Sequence, residues 1–218
     1  MVRRTKADAQ ATRTALLDAA EALFQARGVS RTSLQDIAGA AGTTRGAIYW
    51  HFRDKADLFN AMMERATLPM ERGFPDPQQP IVELADPLQA LRDGLFHVLQ
   101  LIATDERLRR VFEVVSLQVE YHSEMAAVRE RHLRVRQHYL QLTQQMLAEA
   151  VARAGIRLPV PLASAALGLH MVMDGLKRNW LLDPHAFDLQ TVGRHTVDTY
   201  LRGLGFGVAP TTGPGQAA

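Results

Sequence analysis

The residues between Ser33 and Lys55 gather groups suited to meeting a polyanion. Thr44, Arg45, Gly46, Tyr49, Trp50 and His51 crowd one short segment whose apolar residues are only Ala47, Ile48 and Phe52. An arginine at the start of a helix can reach guanine O6 and N7 in a major groove, and a glycine beside it lets the backbone approach closely. Tyr49, His51 and Lys55 are placed to donate to phosphates, and a helix N-terminus capped by Thr44 adds to this. Bond-breaking chemistry finds less support. With no Cys there is no disulfide framework, thiolate metal site or Cys nucleophile. Of the eight His, His132 and His138 are six residues apart, on roughly opposite helix faces, and neither an HExxH run nor a nucleophile elbow occurs. A His-based metalloenzyme is therefore the alternative reading, and neither a metal site nor a cofactor is expected.

Short, punctuated helices position these residues. Leu16, Leu17, Ala20, Leu23 and Phe24 make an apolar stripe that stops at Arg27-Gly28. Ser33, with Asp36 three residues on, opens a second helix whose inner face is Leu34, Ile37, Ala38 and Ala41. Gly42 supplies a turn that needs a left-handed backbone, Thr43-Thr44 cap a third helix to about Phe52, and Asp54 caps a fourth. Residues 33–52 thus have the size and punctuation of a helix-turn-helix. Paired short helices also occur in ordinary bundles, so the pattern alone leaves packing open beside DNA binding. Trp50 is either a packing residue or a contact, and packing is the favoured reading because its neighbours Ile48 and Phe52 need a cover.

The net charge of +2 becomes informative once divided. Residues 1–60 hold nine Lys/Arg against six Asp/Glu, and Arg3, Arg4, Lys6 and Arg13 against Asp8 supply that whole excess. A basic arm over residues 1–9 suits DNA, or simply a solubilising terminus. Hydrophobic residues at 47% and charged residues at 22% describe an ordinary globular chain. No long apolar run or signal-peptide core is seen, which suggests a cytoplasmic protein without membrane contact.

Strand patterns are nearly absent. Prolines from Pro69 to Pro87 forbid a continuous helix and mark a hinge. Helices are expected at about 87–104, 106–120, 123–154, 160–182 and 188–204, and the third carries a seam of Met125, Val128, His132, Val135, Tyr139, Leu142 and Met146. The fold class is all-α: an N-terminal three-helix domain over 10–70, a larger helical domain over 71–204, and a tail over 205–218 expected to be disordered.

The run Thr43-Thr44-Arg45-Gly46-Ala47-Ile48-Tyr49-Trp50-His51-Phe52-Arg53-Asp54-Lys55 resembles the signature of TetR-family repressors, most nearly the AcrR/TtgR subgroup that controls multidrug efflux pumps. Thr12-Arg13, Ala19 to Phe24, Gly28-Val29 and Thr32 to Ala38 are similar too, so the likeness is strong over roughly residues 9–65. It is fainter beyond the hinge, at Leu108-Arg109-Arg110 and at Asp174-Gly175-Leu176 with Trp180. One departure is Thr43, where the subgroup usually carries Val. The resemblance implies a dimeric repressor that leaves a palindromic operator when a hydrophobic small-molecule inducer binds the C-terminal domain and shifts the helix starting at Asp54. By matched position, Arg45 would read bases with Thr44 and Gly46 beside it. Ser33, Tyr49, His51 and Lys55 would hold phosphates, and Arg3, Arg4 and Lys6 would track the backbone or a minor groove. An activator or an architectural DNA-binding protein of the same fold would share all of this.

A ligand pocket, which the resemblance implies, requires polar groups that break apolar faces. Ser116, Tyr139, Thr143, His170 and Asp174 do so, as do His97 and His132, with Leu91, Leu95, Val98, Phe112 and Met173 as walls. Asp174 could instead pair with Lys177 or Arg178. Ser164, Gly168 and Gly175 share one face of the helix at 160–182, flanked by Leu169, Val172, Leu176 and Trp180. With the helix at 188–204, and its Leu189, Val192, Val197, Leu201 and Leu204, that face suits a four-helix homodimer interface.

Overall fold

The computed structural model describes residues 6–76, 79–119 and 123–208. Among these residues all regular structure is helical: α1 (Lys6–Arg27), α2 (Leu34–Ala40), α3 (Arg45–His51), α4 (Lys55–Glu71), α5 (Pro87–Thr104), α6 (Glu106–Glu113), α7 (Ala126–Ala154), α8 (Leu162–Leu182) and α9 (Leu189–Gly203). The chain divides into two compact units, one of residues 1–68 with 107–134 and one of 69–106 with 135–218. This partition differs from a division at residue 70, because α6 and the residues after it belong with the N-terminal helices.

In the first unit, Leu16, Leu17, Ala20 and Phe24 of α1 are buried with Ile37 and Ala38 of α2, Ile48 of α3, and Leu58, Phe59 and Met62 of α4. The Phe24 and Phe59 rings lie 5.8 Å apart. Each fully buried side chain of this size contributes about 1.5–3 kcal/mol, so this shared core is what orders two helices of only seven residues. Gly28, at φ +83°, ends α1, and its N–H bonds the Phe24 carbonyl at 2.9 Å. Charges also tie the unit together. Glu21 of α1 is buried and meets Arg65 of α4 and Arg107 of α6, while Asp18 takes the same two arginines at 2.9 and 3.2 Å. Burial pushes the Glu21 carboxyl above its ordinary range, against the opposing pull of Arg107.

In the second unit, α9 packs on α5 and α8. A Cβ at Gly193 would fall 2.3 Å from Leu99 Cδ1, and one at Gly168 only 2.1 Å from the Tyr200 hydroxyl. That hydroxyl donates to the Ala165 carbonyl at 2.9 Å. Asp198, at 1% exposure, accepts two bonds from Arg92 at 2.9 and 3.0 Å.

Several expectations need correction. The arm expected over 1–9 is helical from Lys6, whereas Arg3 and Arg4 lie outside the described residues. Helix α4 runs through Pro69 to Glu71, because a proline two residues from a helix end removes a single backbone bond. The single helix expected at 106–120 stops at Glu113 and widens into a π-helical turn over Val114–Gln118, at a valine-rich stretch of poor helix formers. Along the expected seam, Met125 just before α7 and Val128 and Met146 within it are buried, but His132 is exposed and Val135, Tyr139 and Leu142 are half-buried, so the seam is interrupted. Residues 205–208 are packed: Gly205, at φ +100°, turns the chain back and buries Phe206 and Val208. The rest of the expected tail, residues 209–218, lies outside the described residues.

Candidate nucleic-acid interface

The sequence builds this surface locally. Ser33 caps α2 in a reciprocal box with Asp36, and Thr44 Oγ1 accepts from the Ala47 N–H at 3.2 Å to cap α3. Between them Gly42 adopts φ +65°, and the Thr43 N–H reaches back to the Ala38 carbonyl at 2.9 Å. Ile48 and Phe52 anchor α3 in the core, with the Arg13 guanidinium 5.2 Å above the Phe52 ring. The opposite side of α3 presents Thr44, Arg45, Gly46, Tyr49 and Trp50 to solvent.

Beside α3 lies an open groove of about 540 Å³. Ser33, Arg45, Tyr49 and Lys55 line it, four of the seven residues expected to touch DNA. Arg31 and Arg53 line it too, with Ser30, Thr32, Leu34, Gln35 and Asp54. Four cationic side chains against one carboxylate give a concave surface that attracts an anionic backbone. Sequence reading passed over Arg31 and Arg53 because they sit in the connections flanking the motif. Arg31 Nε bonds the Arg27 carbonyl at 2.8 Å, and Arg53 reaches Asp57 at 3.5 Å. Thr44 and Gly46 are exposed on α3 but outside the groove lining, and His51 is half-buried with its ring 6.3 Å from that of Phe52. Lys55 is buried along its stem while still lining the groove. Trp50 departs from expectation: at 90% exposure it covers neither Ile48 nor Phe52. Two positions along a helix are about 200° apart, so a residue between two inward positions faces away.

The family profile for bacterial regulatory proteins of the tetR family matches residues 16–62, and that for the C-terminal region of MAATS-type transcriptional repressors matches 86–206. The chain belongs to the TetR family. The transcriptional regulator AcrR of Shigella flexneri is 37% identical over 204 residues, covering 90% of this chain and 91% of the relative. The crystal structure of NalD, the secondary repressor of the MexAB-OprM multidrug efflux pump in Pseudomonas aeruginosa, matches at 39% identity and a TM-score of 0.79, over 90% of this chain and 98% of that one. A SmeT–triclosan complex matches at 30% identity and a TM-score of 0.78, over 96% and 100% of the two chains; SmeT is the repressor of the Stenotrophomonas maltophilia pump SmeDEF. This TetR-family chain is thus a transcriptional repressor by kinship, with a regulatory rather than an enzymatic lineage. No group of three His, Asp or Glu among the described residues is arranged to hold a metal, and no described helix is long and apolar enough to cross a membrane.

The residues expected to bind a ligand are distributed unevenly over the TetR-family fold. In the second unit Leu91, Leu95, Val98 and Met173 are buried, and Tyr139, Thr143 and His170 are half-buried. Burial pushes the Tyr139 hydroxyl above its ordinary range, and Glu71 pushes it the same way. Phe112 and Ser116 are half-buried members of the first unit. Asp174, expected on a buried face, is 60% exposed and pairs with Lys177 at 3.1 Å. The small-residue face of α8 also reads differently: Gly168 receives Tyr200 of the same chain, and Leu169 and Trp180 are buried in the chain's own core. The outer row of α8 is instead Leu167, Met171 and Leu182, all exposed.

Proposed function

We propose that this repressor controls a multidrug efflux operon, binding a palindromic operator as a homodimer and leaving it when a hydrophobic small molecule binds its C-terminal domain. The observation that carries the DNA reading is the cationic groove beside an α3 whose Arg45, Tyr49 and Trp50 face solvent. Arg45 reads base edges with Thr44 and Gly46 beside it; Trp50 adds an apolar contact to the bases; Arg31, Arg53 and Lys55 hold phosphates, with Tyr49 and His51. NalD and SmeT are repressors of efflux pumps, which supports the operon assignment, and the triclosan bound to SmeT supports an uncharged aromatic inducer. Leu91, Leu95, Val98, Tyr139, Thr143, His170 and Met173 would meet that inducer. The apolar row Leu167, Met171 and Leu182 supports pairing of two copies through α8 and α9. Two recognition helices held about 34 Å apart would then read the two halves of a palindrome.

The test is a gel shift with the DNA upstream of the chain's own gene, at about 150 mM salt so that non-specific phosphate binding is suppressed. A specific shift reversed by triclosan or another hydrophobic drug supports operator, inducer and repressor logic together. A shift only at low salt, equal on random DNA, counts against the reading.

A further inference from the structure

The ligand reading places Leu91, Leu95 and Val98 on one face of α5, and helical spacing puts Gly94 on that same face. Gly94 is covered. A Cβ built there would fall 2.7 Å from two carbons of the Phe74 ring and 3.0 Å from the Gly73 carbonyl oxygen. The Phe74 ring also lies 5.4 Å from the ring of Tyr139, tilted by 50°, within the range in which aromatic rings attract. The fit is reciprocal one turn further along α5, where a Cβ on Gly73 would fall 2.4 Å from His97 Cδ2, and the His97 ring nitrogen sits 3.3 Å from the Pro69 carbonyl. Gly94 therefore admits the Phe74 ring onto the face assigned to the inducer, and Gly73 lets the chain that bears it close on α5.

Phe74 is held there lightly. It follows the end of α4, its N–H bonding the Glu71 carbonyl at 3.1 Å, and its side chain is only half-buried. Further on, Arg153 fixes the chain again by donating to the carbonyls of Val82, Leu84 and Ala85 at 2.8, 2.6 and 3.0 Å, while its Nε bonds Glu149 at 2.8 Å. Phe74 thus stands between two fixed points of the chain.

We propose that Phe74 is a built-in plug, its ring occupying the inducer's place between α5 and α7 until an uncharged aromatic ligand displaces it. The inference rests on the ligand reading above. It makes Phe74 a specificity-determining residue, since a competitor must replace the ring's contacts with Gly94 and Tyr139. If the open state is a minor fraction, the apparent dissociation constant is raised by the inverse of that fraction.

Calorimetric titration of wild type, Phe74→Ala and Gly94→Ala with triclosan tests this, with thermal melts and the operator gel shift confirming that each variant folds. Gly94→Ala puts a methyl where the Phe74 ring and a ligand replacing it must both sit, and inside a helix alanine is otherwise the better residue. The expected result is triclosan binding at least about fivefold tighter in Phe74→Ala than in wild type, with no such gain in Gly94→Ala. Binding by Phe74→Ala with none by wild type supports the plug equally. Wild-type binding with Phe74→Ala unchanged or weaker overturns the plug and leaves the ligand reading standing. Equal tightening in Gly94→Ala also overturns it, because a ligand that takes the ring's place needs the same clearance over Gly94. No binding by any of the three overturns both. Should Phe74→Ala not fold, Phe74→Leu takes its place.

Discussion

Ser33 and Asp36 hold each other at the start of α2. The Ser33 N–H donates to Asp36 Oδ2 at 2.9 Å, the Ser33 hydroxyl donates to the same oxygen at 2.6 Å, and the Asp36 N–H donates back to Ser33 Oγ at 3.2 Å. A hydroxyl has one proton, and this one is used inside the chain, so Ser33 can meet a phosphate through its side chain only by releasing Asp36. Ser33→Ala is therefore expected to lower stability by about 1 kcal/mol, read from thermal or urea melts. Loss of operator affinity without loss of stability would return Ser33 to the DNA contacts.

The same pair carries a pH signature. The two hydrogen bonds from Ser33 hold the Asp36 carboxyl below its ordinary value of 3.8. A group whose folded pKa is depressed stabilises the fold fully above the unfolded value and loses that contribution as pH falls through the folded one. The difference in melting temperature between wild type and Ser33→Ala should accordingly be largest near neutral pH and shrink below about pH 4. A difference that stays constant into acid would assign the effect to the uncharged cap alone.

Arg45 and Arg31 are expected to fail in different ways. Arg45→Ala should weaken operator binding by about 1–3 kcal/mol and relax preference at one base position, with little effect on random DNA. Arg31→Ala should weaken both DNAs alike and reduce the slope of log affinity against log salt by about one. Fluorescence-anisotropy titrations at several salt concentrations separate the two patterns.

Trp50→Ala should leave the melting free energy within about 0.5 kcal/mol, since an exposed side chain has no packing to lose. Its operator affinity should fall all the same. A marked drop in stability with DNA binding intact would make Trp50 a structural residue after all.

Arg92 and Asp198 form the charged link between α5 and α9. Removing Arg92 leaves a carboxylate at 1% exposure without its bidentate partner, so Arg92→Leu is expected to destabilise by about 3–5 kcal/mol. The double replacement Arg92→Leu with Asp198→Leu should recover most of that loss. Denaturant melts of the two singles and the double complete the cycle.

Much of the helix-turn-helix was legible because its determinants are local. The Ser33 and Thr44 caps, the left-handed turn at Gly42 and the inward positions of Ile48 and Phe52 all lie within a few residues of what they control. The same arithmetic turns Trp50 outward, and the cover expected of it is not needed because Ile48 and Phe52 already lie in the core. Arg31 and Arg53 were missed because a groove is made by tertiary approach of two connections, which spacing does not report. Asp174 misled for a different reason. Its neighbours Leu167 and Met171 are apolar yet exposed, so apolar company on α8 does not mean the chain's own interior. Gly168 likewise has a small-residue signal whose occupant, Tyr200, lies on another helix.

The chain has two tryptophans, and the fold places them in opposite surroundings: Trp50 at 90% exposure on the recognition helix and Trp180 at 6% in α8. Their light emission divides the same way. Selective quenching by iodide reports the first indole and leaves the second dark to it. Docking on an operator would shield Trp50 while Trp180 keeps its spectrum, and melting of the larger helical unit would shift Trp180 to the red. The protein thus carries one optical probe for occupancy by DNA and another for integrity of the fold, with no label attached.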